Sequence, residues 1–158
     1  ADGLTHGMYR RLERLLAGTR YEGALVSAQG IVTSLRGRKT PTEIERIRAA
    51  IAQTDRLFDE VGGEIARVGV TEREIWRQVQ ARIDARGLGY SWERAGNPIV
   101  NCGPASMVGH GVPSPALTLA AGQILHLDLG VLCDGYASDL QRCWYVGERV
   151  PAAVEEAC

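Results

Sequence analysis

The chain has 158 residues, enough for one domain with a real core, and its apolar fraction of 45% is ordinary for a soluble globular protein. A formal net charge of −1 gives no global reason to expect nucleic acid or an anionic membrane as a partner. No apolar run reaches the roughly 18 residues that span a bilayer. The four cysteines, with no C-x-x-C pair, exclude a small disulfide scaffold and make a reducing, cytoplasmic compartment the expectation.

Residues 4–17 (LTHGMYRRLERLLA) set Leu4, Met8, Leu12, Leu15 and Leu16 near helical spacing, with Gly18 as the stop. Residues 23–35 (GALVSAQGIVTSL) read as extended or mixed, interrupted at Gly30. Thr40-Pro41-Thr42-Glu43 combines a capping box with proline at the first helical position. Ile44, Ile47, Ile51, Leu57, Phe58 and Val61 follow as a stripe, which Gly62-Gly63 ends or bends. A second capping box, Thr71-Glu72-Arg73-Glu74, opens a helix through Ile75, Val79 and Ile83 to Gly87. Phe58 and Trp76 read as packing residues and His6 as surface. The arginines between Arg10 and Arg48 alternate with glutamates, which describes a solvated face.

After Gly89 the pattern changes to short strands and Gly/Pro-rich turns. Pro98-Ile99-Val100-Asn101 looks like a strand. Residues 103–116 (GPASMVGHGVPSPA) form a loop of the kind that carries function on a rigid scaffold. Helices followed by mainly antiparallel strands argue for α+β, with two helices packed on the sheet. Residues 151–158 read as the first turns of a helix with little to pack against, so the natural polypeptide is expected to continue.

The run 123–131 (QILHLDLGV) has a period of two. His126, Asp128 and Gly130 point one way, and Leu125, Leu127, Leu129 and Val131 the other. A second run, Tyr136 to Val146, follows Cys133-Asp134-Gly135, and Asp-Gly between such runs is a hairpin signal. A turn centred between 133 and 134 sets Asp128 opposite Asp139. A turn centred between 134 and 135 sets Asp139 opposite Gly130 and Asp128 opposite Gln141. Both keep the two carboxylates on one face, roughly 4.5–8 Å apart. Asp is depleted in strands, and like charges across a strand pair destabilise it. Asp134 fits a turn role. For Asp128, flanked by leucines, a bound cation is the simplest compensation. The alternatives are a carboxylate pair doing acid–base work without metal, or solvated residues near a hairpin end. Cys143 shares the face of Asp139 and reads as a buried, inert thiol.

In sequence order, N-P-I-V-N, G-H-G-V-P-S, L-D-L-G and D-G-Y-A-S-D-L-Q-R resemble the first half of the pita-bread metallopeptidases. That family includes Xaa-Pro aminopeptidases, Xaa-Pro dipeptidases (prolidases) and methionine aminopeptidases. Upstream, L-R-G-R-K-T-P-T-E-I-E-R-I-R-A-A resembles the entry to their first catalytic helix. The resemblance implies a partial pita-bread catalytic domain over 35–158, with 1–34 as the tail of an amino-terminal domain or a linker. It implies a di-metal hydrolase in which Asp128 is the first carboxylate ligand, Asp139 bridges both metals, and His110 steadies the scissile peptide or its tetrahedral intermediate without binding metal. His126 stands where the family usually has an apolar residue and reads as packing. The family's shared water, between cations roughly 3.5–4 Å apart, becomes hydroxide near neutral pH. Carboxylate and imidazole ligands suit manganese first, with cobalt, zinc or iron as alternatives.

The family's remaining ligands, a histidine and two glutamates, come from the second half of the fold. Glu148, Glu155 and Glu156 stand at the wrong point in the pattern to replace the glutamates. These residues alone are therefore expected to bind metal weakly and to be inactive, and a full-length parent to be active on small peptides. The resemblance also admits a homodimer. A methionine aminopeptidase-like enzyme is the runner-up within the enzymes, since His-Gly-Val-Pro is similar to that branch. A non-enzymatic pita-bread interaction module is the reading from outside them.

Overall fold

In the computed structural model, which describes residues 3–106 and 111–156, helix α1 (His6–Leu16) starts where the Thr5 hydroxyl accepts a hydrogen bond from the Met8 N–H at 3.3 Å. Gly18, at φ 73°, turns the chain after it. The later part of the segment expected to be extended or mixed is a second helix, α2 (Gln29–Gly37). Its start is tied locally: the Ser27 hydroxyl accepts from the Gln29 N–H at 3.2 Å, and the Ala28 carbonyl from the Val32 N–H at 3.0 Å. That is a weaker sequence signal than a capping box, and Gly30 falls inside the first turn instead of breaking the helix. These elements belong to one compact unit, residues 1–39, and the remaining chain from Thr40 forms another.

Helix α3 (Pro41–Glu60) opens the second unit with the expected reciprocal cap. The Thr40 hydroxyl accepts from the Glu43 N–H at 3.3 Å, and the Glu43 carboxylate from the Thr40 N–H at 2.7 Å. The apolar stripe buries later than its spacing suggests. Ile44 is exposed, whereas Ala50, Leu57, Phe58 and Val61 are buried. Periodicity marks a face but not how much of a helix's length is covered. The helix runs on into a π-helical turn (Val61–Ile65). A side chain at Gly62 would stand 2.8 Å from the Trp144 indole nitrogen, so glycine there lets Trp144 close on the helix. Helix α4 (Glu72–Ala85), opened by the Thr71 capping box, buries Ile75, Val79 and Ile83 at a spacing of one turn.

Among the described residues, six strands follow: β1 (Gly89–Tyr90), β2 (Ile99–Cys102), β3 (Ile124–Leu129), β4 (Val131–Cys133), β5 (Tyr136–Ala137) and β6 (Leu140–Tyr145). A four-residue helix, α5 (Ala152–Glu155), comes after them. They form two antiparallel three-stranded sheets, in the orders β1-β4-β5 and β2-β3-β6. Helix α4 packs on β2, and α3 on β4 and β5. Leu125, Leu127, Leu129 and Val131 join the helix residues in one core. The architecture is α+β.

The hairpin turn is Asp134-Gly135, both left-handed at φ 49° and 79°, as a tight two-residue hairpin requires. Cys133 pairs with Tyr136 and Asp128 with Gln141, which selects the second of the two registers open in the sequence. The ribbon is not continuous. Between β3 and β4 stands Gly130, and between β5 and β6 stand Ser138 and Asp139. A Cβ on Gly130 would lie 2.4 Å from the Ser138 carbonyl oxygen, 2.6 Å from the Trp92 ring and 2.8 Å from Ser91. The missing side chain is what lets these groups meet, and the pairing passes from one sheet to the other there. The variant Gly130→Ala is expected to lose about 2 kcal/mol of stability, the usual scale of overpacking. Urea unfolding of the purified chain checks this, and an unchanged midpoint would contradict the close approach.

Candidate functional site

Strand β3 is the middle strand of its sheet, and its alternation sorts side chains between the core and an open face. Leu125, Leu127 and Leu129 are fully buried, while His126 and Asp128 on the other face are half-buried. Asp128 lies between Ile99 of β2 and Gln141 of β6. Leu129 pairs with Leu140, and the Ser138 N–H donates to the Val131 carbonyl at 2.9 Å, so no residue is gained or lost across the break. Counting along this register sets Asp139 opposite Gly130, as a diagonal neighbour of Asp128. Asp139 is exposed and sits in the two-residue link between the sheets.

The backbone that carries Asp139 is held from one residue before it. The buried Ser138 hydroxyl accepts from the Val131 N–H at 2.9 Å and shares a 2.7 Å hydrogen bond with the Thr54 hydroxyl of α3. Its carbonyl accepts from the Ser91 hydroxyl at 2.7 Å. On the β3 side, the buried Asn97 amide donates to the Gly130 carbonyl at 2.6 Å, and the Ser91 N–H donates to the same oxygen at 3.2 Å. Sequence reasoning found neither Ser138 nor Asn97. Only the Ser-Asp step within D-G-Y-A-S-D pointed toward the first.

His126 is hydrogen-bonded through both ring nitrogens. Its Nδ1 lies 3.0 Å from the Asn101 Oδ1, and its Nε2 lies 2.8 Å from the Oε1 of Gln141, the cross-strand partner of Asp128. Asn101, His126 and Gln141 thus form a polar row on the face of Asp128. Cys143, expected to be buried, is exposed, because it lies on the open face of the edge strand β6. The inert thiol is Cys102 instead. Burial, with the nearby charge of Glu72 adding to it, pushes that thiol up to about 12. His110 lies outside the described residues. Asp134 occupies the hairpin turn, Phe58 is in the core, and His6 is exposed.

Carboxylate oxygens on an accessible face suit a hard divalent cation. Two are too few to enclose one. Among the described residues, no group of three or more His, Cys, Asp or Glu side chains converges to hold a metal ion. No described helix is long and apolar enough to cross a membrane.

Residues 45–158 match the profile of metallopeptidase family M24. The chain belongs to this family. An Xaa-Pro dipeptidase of Lactobacillus helveticus is 35% identical over 113 residues, covering 70% of this chain and 29% of that protein. The crystal structure of an X-Pro aminopeptidase from Thermotoga maritima superposes with a TM-score of 0.75 at 26% identity, over 97% of this chain and 40% of that one. The dipeptidase PepE from Mycobacterium ulcerans gives 0.77 at 25% identity, over 99% and 39%. The chain therefore spans 29% to 40% of the length of these relatives, and its fold is the amino-terminal part of the pita-bread domain.

Two outcomes follow from this geometry. Ser138→Ala strips a partner from the buried Val131 N–H and Thr54 hydroxyl and is expected to cost about 1–3 kcal/mol, measured by denaturant unfolding. Brief alkylation with iodoacetamide at pH 8, read by peptide mass spectrometry, is expected to modify Cys143 and spare Cys102, because the thiolate is the reacting form.

Proposed function

We propose that this M24 segment is the amino-terminal part of the catalytic domain of a metal-dependent Xaa-Pro peptidase, an aminopeptidase or dipeptidase that hydrolyses a bond near the amino terminus of small peptides. The observation that supports the reading is the strand register, which by counting sets Asp139 opposite Gly130 and diagonal to Asp128, in a chain of this family. The 35% identity with an Xaa-Pro dipeptidase favours that branch.

In this reading Asp128 and Asp139 would be carboxylate ligands of two divalent cations, manganese first; when bound, these would supply an acidified water and a polarised peptide carbonyl. The chain's own contribution is to fix the carboxylates. Asp128 is set by the middle strand of its sheet, and Asp139 by the Ser138 anchor to α3. His110, which precedes β3 in the sequence, steadies the scissile peptide or its tetrahedral intermediate. The remaining ligands come from residues beyond this segment, so the segment by itself binds metal weakly and does not turn over substrate. A cytoplasmic location goes with the reading.

Hydrolysis by the full-length protein decides the matter. It is expected to cleave Xaa-Pro dipeptides with added manganese and to lose that activity in chelator. Asp139→Asn should lower kcat by at least about 100-fold, since even residues that only support metal ligands account for 10–100-fold. Preference for Met-Xaa peptides would move the assignment to the methionine aminopeptidase branch. Full activity of the Asn variant would remove Asp139 from the centre.

A further inference from the structure

Glu72 is the second member of the Thr71 capping box by sequence, yet its side chain takes no part in the cap, which Thr71 and Glu74 complete between them. It is instead buried, at 3% exposure, and turned toward the loop that runs from β2 to β3. One carboxylate oxygen accepts from the Cys102 N–H at 3.0 Å and from the Ser106 hydroxyl. The other accepts from the Ser114 N–H at 2.8 Å. The Ser106 hydroxyl itself accepts from the Cys102 N–H at 2.7 Å. One side chain thus grips both ends of residues 103–116. In the sequence, Ser106 and Ser114 stand four residues before and four after His110.

The two ends are not held alike. The far end has further bonds from the start of α4: the Arg73 N–H to the Ser114 carbonyl at 3.1 Å, the Arg73 guanidinium to the Pro113 carbonyl at 2.9 Å, and the Glu72 N–H to the Leu117 carbonyl at 3.0 Å. At the near end, the hydrogen bonds to α4 among the described residues are those to the Glu72 carboxylate. Burying a carboxylate is costly unless it is well bonded. Here three donors face it, and its place in the first turn of α4 adds the favourable field of the helix amino terminus. Closing a glycine- and proline-rich loop also costs chain entropy, which fixed ends reduce.

We propose that Glu72 is a positioning residue: its buried carboxylate ties Cys102 and Ser106 on one side, and Ser114 on the other, to the start of α4, and the role of His110 depends on that tie. The role of the histidine rests on the peptidase reading above, but the clamp does not. Glu72→Gln keeps the shape, removes the charge, and turns an N–H toward at least one of the three donors.

Amide hydrogen exchange on this chain, compared between wild type and Glu72→Gln, reads the clamp directly. The expected result is exchange at least about tenfold faster at residues 102–106 and 111–114, with the α4 amides from Ile75 to Ile83 as protected as before. In the full-length enzyme the same variant is expected to lower kcat by at least about tenfold while KM moves by less than about twofold, because the bound substrate stays and only its orientation is lost. Should Glu72→Gln fail to fold, Ser106→Ala leaves the carboxylate in place and is expected to loosen residues 102–106 in the same direction. Unchanged loop exchange in a folded variant would overturn the clamp. A loosened loop with kcat and KM both unchanged would overturn the positioning role. Inactivity of the wild-type enzyme toward Xaa-Pro peptides would count against the peptidase reading alone, and the exchange result would then decide the clamp by itself.

Discussion

The structure turns on the absence of one side chain. At Gly130 the Ser138 carbonyl, Ser91 and Trp92 occupy the space a Cβ would take. That contact lets what would be one long hairpin change sheets halfway along, so that β3 and β6 share a sheet with β2 while β4 and β5 share one with β1. The change of sheet costs backbone pairing, and three side chains offset it. Ser138 bonds the Val131 N–H, Asn97 bonds the Gly130 carbonyl, and Ser91 bonds the Ser138 carbonyl. A buried backbone group left without such a partner would cost as much as a lost hydrogen bond. Asp139 leaves the chain at this point, next to the anchored Ser138. An acidic residue in the middle of a paired strand is unfavourable. At the junction it stands in an exposed link, tied to the core through Thr54 of α3.

The second unit thus assembles the same face from two directions. From below, α3 reaches the ribbon through Thr54, Phe58 and Gly62, with the Phe58 and Trp144 rings 5.7 Å apart. From the side, α4 reaches the loop before β3 through Glu72 and Arg73. Each long helix therefore fixes one of the elements from which family M24 is expected to draw its chemistry.

Much of this was legible in the residues. Both capping boxes mark helix starts because their side chains satisfy specific orphan N–H groups, and the structure has those bonds. The alternation in 123–131 sorts leucines to the core and His126 and Asp128 away from it. Asp-Gly marks the turn because both residues tolerate left-handed backbone. The misreadings have a common origin in missing tertiary information. Helix α2 starts with a local Ser27 bond, which no periodic pattern announces. Ile44 and Cys143 are exposed, and spacing marks a face without revealing how far it is covered. The break at Gly130 and the inward turn of Glu72 depend on partners 8 to 42 residues away, from Ser138 to Ser114.

Asp128 and Asp139 are proposed to hold metal together in the complete M24 protein. Anomalous diffraction from crystals of that protein soaked in manganese decides this. The expected result is anomalous peaks in direct coordination with both carboxylates. Peaks elsewhere in the molecule, with residues 128 and 139 contacting only solvent, would contradict it.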